Sequence, residues 1–367
     1  ALKTAKKLLS LIETIESESP RTISLAFNTH HSINFIYYAQ GNAKKAIQNS
    51  EKTYRKYFSK LNSFDKMRTL NMLAYANLIA GNYEVCERFI DRGLEITHAI
   101  ENTFVEEILL TIRARVEVNQ GHLDEAYVHA TQVLKLGEET NHTHTIVSAN
   151  CLLGDIFFNL QNYSRAMKYY RVAQIREGFE KTSIHGLENS IHLARLLSWL
   201  GPLSETKEIL DRTLKVTQKY GMQSLYAQTL LNSGLCDLLE GDPTIAENKF
   251  SQASAIITEN GLVYEEIWLK IGFLRLALSR HQFDLAEEIL NELLEESTSI
   301  NAVFLTLYGL ELSAQIQKKG RNATFPDGYR AKLEKVVQKI DAHTQSDALR
   351  DDFLNAKRLW LEGHRFP

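Results

Sequence analysis

Leu153-Gly154-Asp155-Ile156-Phe157-Phe158-Asn159-Leu160-Gln161-Asn162-Tyr163-Ser164-Arg165-Ala166-Met167-Lys168-Tyr169-Tyr170 is the stretch from which the fold can be read. Its small residues, Gly154 and Ala166, flank the turn-forming pair Gln161-Asn162, and both sides carry apolar residues at helical spacing. The same arrangement recurs every forty residues. Gly41, Gly81, Gly121, Gly201 and Gly241 occupy the turn, with Gln161 and His281 filling the two gaps. Five residues after each stand Ala46, Cys86, Ala126, Ala166, Thr206, Ala246 and Ala286. Seven residues before the turns stand Asn34, Ala74, Ala114, Gly154, Ala194, Gly234 and Leu274, and one period later Ala314.

Each column has a physical reading. Small residues on consecutive helices let the axes approach, and a glycine ends the first helix in a left-handed turn. Leu70, Leu73, Tyr75 and Leu78 precede one turn and Tyr83, Phe89, Ile90 and Leu94 follow it, at the spacing of two helices. One such hairpin cannot bury its own apolar face, so neighbours must stack into a continuous core. The expectation is an all-α, right-handed superhelical solenoid of about eight antiparallel helix-turn-helix repeats over residues 22–343. Capping helices are expected at 1–19 and 346–362, making one domain of 1–367, with a loop inserted after Gly320.

Composition narrows the functions. The 367 residues carry 42 Lys+Arg against 45 Asp+Glu, a net charge of −3, which does not suit binding to nucleic acid or acidic lipid by bulk charge. No stretch approaches the ~18 uninterrupted apolar residues of a membrane span. Cys86, Cys151 and Cys236 lie far apart with no CxxC pair, which argues against a disulfide framework and a cysteine-based zinc site, and for a reduced, cytoplasmic setting.

In the fourth unit, Leu153-Gly154, Phe157, Tyr163, Ala166, Tyr170 and Ala173 make the pattern resemble the tetratricopeptide repeat. The early tryptophan of that family is replaced by His30, Leu70, Leu110, Asn150, Ser190, Leu230, Lys270 and Leu310, and the closing proline is missing. The period is also longer than that family's ~34 residues. Forty-residue versions are similar to the sensor superhelix of MalT-type transcription activators, to the peptide-sensing Rap/NprR-type regulators, and to scaffold subunits of large assemblies. In the first group an NTPase module precedes the repeats and a DNA-binding helix-turn-helix follows. The resemblance implies a sensor or interaction region of a larger regulator, or alternatively a constitutive protein–protein scaffold.

GxxxxGK[ST], GxSxG, HExxH and GxGxxG are all absent from the sequence, so neither an enzyme nor a cofactor or metal is expected. His142 and His144 read as solvated imidazoles in an inter-repeat loop, and Glu106-Glu107, Glu265-Glu266 and Glu287-Glu288 as solvated helix faces or first-turn acids. The resemblance implies that the first helix of each repeat lines a concave groove. Carried over by register, that groove holds Asn71, Tyr75, Arg115, Asn119, Asp155, Asn159, Arg195, Trp199 and Arg275, with Gln228 and Trp268 at the helix entrance. Guanidinium groups suit carboxylate or phosphate, asparagines suit a peptide backbone, and tryptophans supply apolar anchors. The expected ligand is a protein, a peptide or a small anionic molecule near Arg115, Arg195 and Arg275; self-association stays open. An alternative is that Arg115, Asp155 and Arg195 neutralise one another as a ladder that sets repeat curvature.

Overall fold

The computed structural model describes residues 2–15, 19–100, 102–178, 183–319 and 327–362. The inserted loop after Gly320 and the side chain of Ala314 fall outside the described residues. The described chain is helical: α1 (Leu2–Glu13), α2 (Pro20–Ala39), α3 (Ala43–Tyr57), α4 (Ser63–Ile79), α5 (Tyr83–Ala99), α6 (Thr103–Gln120), α7 (Leu123–Thr140), α8 (Thr143–Asn159) and α9 (Tyr163–Glu177). Then come α10 (Ile184–Leu200), α11 (Leu203–Tyr220), α12 (Gln223–Glu240), α13 (Pro243–Asn260), α14 (Val263–Ser279), α15 (Phe283–Ser299), α16 (Val303–Lys319), α17 (Asp327–Ala342) and α18 (Arg350–Glu362). Among the described residues α2 to α17 pair as eight hairpins, α1 precedes them and α18 follows. No described helix is long and apolar enough to cross a membrane.

The turns explain why the period is so regular. Gly41, Gly81, Gly121, Gly201 and Gly241 all have positive φ, and Gln161 and His281 adopt the same left-handed conformation at +56° and +58°. Beyond it the chain N–H reaches back to close the helix: Asn42 to the Tyr37 carbonyl, His122 to Glu117 and Asn162 to Phe157, at 2.8–2.9 Å. Asn42 and Asn162 then cap the next helix, accepting from the N–H groups of Lys45 and Arg165. The turns between hairpins are built alike. Asn141, Gly221, Gly261 and Asn301 are left-handed there, and His142, Met222 and Ala302 donate back to Gly137, Thr217 and Ser297.

Packing within a hairpin is matched in volume. Ala46, Cys86, Ala126, Ala166, Thr206, Ala246 and Ala286 are all 0% exposed. Where the first helix offers a glycine, the second offers a ring: a Cβ added at Gly154 would lie 2.3 Å from Tyr170, and one at Gly234 2.6 Å from Phe250. Where the first helix offers Asn34, the second offers a hydroxyl, and Asn34 donates to Ser50 Oγ (2.8 Å). One continuous apolar core runs from Ala114 to Trp360, with smaller buried clusters beside it.

The superhelix also closes on itself. Asn42 on the first hairpin meets Asn260 (3.4 Å), and Gly41 sits so close to Ser224 that a Cβ would lie 2.7 Å from Ser224 Cβ. Gly121 packs on Val303 and Ile340. Asp124 accepts from the N–H groups of Gln345 (2.6 Å) and Ser346 (3.0 Å), while Asn162 and Arg165 both reach Asp352 at 2.6 Å. These partners are 182 to 222 residues apart, so about five forty-residue units complete one turn and the next turn rests directly on it.

Candidate functional site

Closure turns the concave groove into a partly open cavity of about 430 Å³, walled by the first helices of all eight hairpins. In α2, α4, α6 and α8 the wall comes mainly from the C-terminal half, including Phe35, Tyr75, Asn119 and Asn159. In α10, α12, α14 and α16 it comes from the N-terminal half and middle, including Glu188, Gln228, Trp268 and Tyr308. The cavity axis therefore runs obliquely across the repeats rather than along one register column.

That obliquity sorts the residues expected from the sequence. Asn71, Tyr75, Arg115, Asn119, Asp155, Asn159, Arg195, Gln228 and Trp268 line the cavity. Trp199 and Arg275 are not among its lining residues, because they sit in the C-terminal halves of α10 and α14. Trp199 packs between Phe158 (4.7 Å between ring centroids) and Tyr308 (6.1 Å), and the Arg275 guanidinium lies 5.9 Å from its ring. Arg275 therefore does not share this cavity wall with Arg115 and Arg195.

Nor do Arg115, Asp155 and Arg195 form a ladder; each has found a different partner. Arg115 holds both carboxylate oxygens of Glu188 in a fork of two 3.2 Å bonds. Burial alone would raise the Glu188 pKa, but the charges of Arg115 and His185 outweigh it and hold the carboxyl well below its usual range. Asp155 accepts from His192 Nδ1 (2.6 Å) and the Tyr170 hydroxyl (2.7 Å). Its pKa is also lowered: burial pushes it up, and the His192 charge and these hydrogen bonds prevail. Arg195 donates through Nε to Asn232 (3.2 Å) and lies 4.3 Å over the Trp268 ring. Among the described residues its two terminal nitrogens meet no hydrogen-bond partner.

Two of the acids expected on solvated faces or in first turns are engaged by neighbouring side chains, and Glu265 is at the same time a first-turn acid of α14. Glu265 faces the cavity and accepts from Gln228 Nε2 (2.7 Å), and burial, with Glu188 nearby, raises its pKa. Glu107 is 1% exposed and accepts from Thr140, Thr145 and the His142 imidazole (3.2 Å), which ties the α7–α8 turn to α6. His142 is therefore not a fully solvated imidazole.

The asparagines are only partly free. Asn119 donates to the Tyr83 hydroxyl (3.0 Å) and keeps its carbonyl oxygen; Asn159 accepts from Tyr308 (2.7 Å) and keeps its amide hydrogens. The Asn71 side chain has no hydrogen-bond partner among the described residues. Together with Arg195 and Glu265, the wall thus offers donors and acceptors of both charges, which fits an amphoteric ligand better than a purely anionic one.

His192, Asn232, Tyr264, Glu265 and Tyr308 also line the cavity and were missed from sequence. The column Glu188, Gln228, Trp268 continues one period further to Tyr308. His192 and Asn232 stand one residue beyond Ile191 and Leu231, the register equivalents of Asn71, and an oblique axis exposes them.

The profile described as "MalT-like TPR region" matches residues 33–316. Among solved structures, a Rap protein complexed with Competence and Sporulation Factor superposes with a TM-score of 0.55 at 13% identity, covering 92% of this chain and 99% of that one. The apo form of RapI gives 0.51 at 13% identity, covering 78% and 99%. A STAND protein with a tetratricopeptide-repeat sensor from Pyrococcus horikoshii gives 0.44 at 12%, covering 98% of this chain and 55% of that one. No curated protein matches the chain.

Proposed function

Since the chain belongs to the MalT-like tetratricopeptide-repeat family, we propose that it is the non-enzymatic sensor region of a larger cytoplasmic, transcription-regulator-like protein. In this reading a short peptide or small zwitterionic ligand enters the cavity and shifts the stacking of the repeats. The observation that carries it is Arg195: a guanidinium aligned on Trp268, its terminal nitrogens without a hydrogen-bond partner among the described residues, at the wall of a cavity that also presents Glu265 and Asn71. A ligand carboxylate would meet Arg195 and a ligand amine Glu265. The cavity volume falls within the ~300–1,000 Å³ range of small-ligand sites, which favours such a molecule over a folded partner. A Rap protein of this fold holds a bound factor, which supports reading the interior as a ligand compartment. Repeat stacks suit sensing because small rotations at each interface add along the superhelix.

The test is a thermal-shift screen of short peptides, amino acids, sugars and nucleotides, followed by calorimetry. A ligand present at 100 times its Kd should stabilise the protein by about 2.7 kcal/mol. Arg195→Ala should abolish that shift while leaving the helical circular dichroism intact. Equal binding by wild type and Arg195→Ala would end this reading.

A second reading, a scaffold that docks or self-associates through its N-terminal end, draws on one observation. Leu8, Leu11, Ile15 and Leu25 on or next to α1 and α2 are 42–56% exposed. Sedimentation analysis of Leu11→Lys with and without candidate partners separates it from the sensor reading.

A further inference from the structure

The cavity wall holds a cluster that the sensor reading does not use. Cys151 and Asp155 are one helical turn apart on α8, and His192 faces them from α10. Cys151 Sγ is 3.5 Å from His192 Nδ1, His192 Nδ1 is 2.6 Å from Asp155 Oδ1, and all three ligand atoms lie within 4.8 Å of one another. Asp155 and His192 line the cavity, while Cys151 is 1% exposed just behind them. The sequence hides this set, because the usual search for zinc ligands looks for pairs a few residues apart. Here the repeat supplies the proximity: His192 follows Cys151 by one period and one residue.

We propose that Cys151, Asp155 and His192 bind a divalent transition metal of the zinc class, with the fourth coordination position open to the cavity. Thiolate, imidazole and carboxylate are the donors such ions prefer, and three protein ligands plus an open position is the pattern of sites that bind an exogenous group. Zn–S near 2.3 Å and Zn–N near 2.0–2.1 Å at a tetrahedral angle place sulfur and nitrogen about 3.5 Å apart, the separation observed. The Nδ1···Oδ1 pair must widen by about 0.7 Å to reach tetrahedral spacing; in its present state a shared proton draws the two atoms together at 2.6 Å. The Tyr170 hydroxyl donates to the same Asp155 Oδ1 at 2.7 Å and so already orients the carboxylate.

Charge balance allows the exchange. One thiolate and one carboxylate neutralise a divalent ion, with His192 a neutral ligand through Nδ1 that keeps its single proton on Nε2, so the loaded site carries no net charge and loading it releases the thiol proton. The nearby cations already have partners: Arg115 is held by Glu188, and Arg195 by Asn232 and Trp268.

Titration of the purified, metal-stripped chain with Co²⁺ tests this. The expected result is one equivalent bound, a sulfur-to-cobalt charge-transfer band in the near ultraviolet, and displacement of that band by Zn²⁺. The band should vanish in Cys151→Ser, and Tyr170→Phe should keep it while weakening affinity about 10–100-fold. A wild-type protein without the band, or a band that survives in Cys151→Ser, would overturn the proposal. Should Cys151→Ser fail to fold, the double variant Cys86→Ser, Cys236→Ser decides. Retention of the band assigns it to Cys151, and its loss refutes the site.

Discussion

Contact between successive superhelical turns makes a prediction that two glycines can test against each other. Gly41 and Gly241 hold the same turn position with similar left-handed φ values, +71° and +89°. An alanine at either must bear the left-handed penalty of about 1–2 kcal/mol, offset by about 0.4–1 kcal/mol because alanine has fewer unfolded conformations than glycine. The surroundings differ. Nothing lies within 4 Å of a Cβ at Gly241, whereas a Cβ at Gly41 would be 2.7 Å from Ser224 Cβ and 3.2 Å from Ser224 backbone atoms. Relief there requires moving α12 backbone, so overpacking adds about 1–3 kcal/mol. Gly241→Ala should thus cost roughly 1 kcal/mol and Gly41→Ala about 2–4 kcal/mol. Urea unfolding followed by circular dichroism reads both, with the difference taken from the midpoints at unchanged m-value. Ser224 also lines the cavity, so Gly41→Ala should weaken ligand binding as well. Equal midpoints for the two variants would show that the first turn does not rest on α12 in solution, and the cavity would then be an open groove.

Other consequences are directly measurable. Gln161→Gly and His281→Gly replace left-handed non-glycine residues and should each stabilise by about 0.5–1 kcal/mol in thermal or urea melts, after the entropic cost of glycine; destabilisation by either would count against this turn geometry. Arg115→Ala strands Glu188 in the wall and should cost about 3–5 kcal/mol, whereas Arg195→Ala, with no ion pair among the described residues, should cost much less stability and act mainly on ligand binding. Similar losses of stability from the two would contradict the assignment. Both Glu311 carboxylate oxygens lack a hydrogen-bond partner among the described residues, and burial raises its pKa well above the usual range, with Arg275 the charged group opposing it. A raised folded pKa gives stability that is present below the unfolded value near 4.3 and is lost as pH rises through the folded value. Stability of Glu311→Gln relative to wild type should therefore grow from pH 4 towards pH 8, and a flat difference would rule this out.

The legible and illegible parts of this molecule divide by the range of the interactions that make them. Ala46, Cys86, Ala126 and their periodic equivalents are set by contacts within one hairpin, so their 0% exposure leaves a column in the sequence. The left-handed turn at Gly41 leaves one too, and Gln161 and His281 blur it only because the backbone tolerates them there at modest cost. The turns between hairpins use the same hydrogen bonds but carry Asn141, Gly221, Gly261 and Asn301, too mixed a set to be read as a second ruler. Closure has no local signature at all. It arises from rotations accumulated over about five units and is sealed by pairs such as Asn42–Asn260 and Arg165–Asp352. The wall of the candidate site inherits this split. Register alone selects first-helix residues, which is why Arg115, Asp155 and Arg195 lie at the cavity. Twist decides which half of each helix faces inward, and that removes Arg275 and Trp199 while admitting His192 and Tyr308. The partner of each charge is decided last: Glu188 takes Arg115 and His192 takes Asp155, so the arginine ladder dissolves into two separate pairs. Among the described residues those pairings leave the terminal nitrogens of Arg195 open to a ligand, a distinction that depends on which side chains the twist has already satisfied.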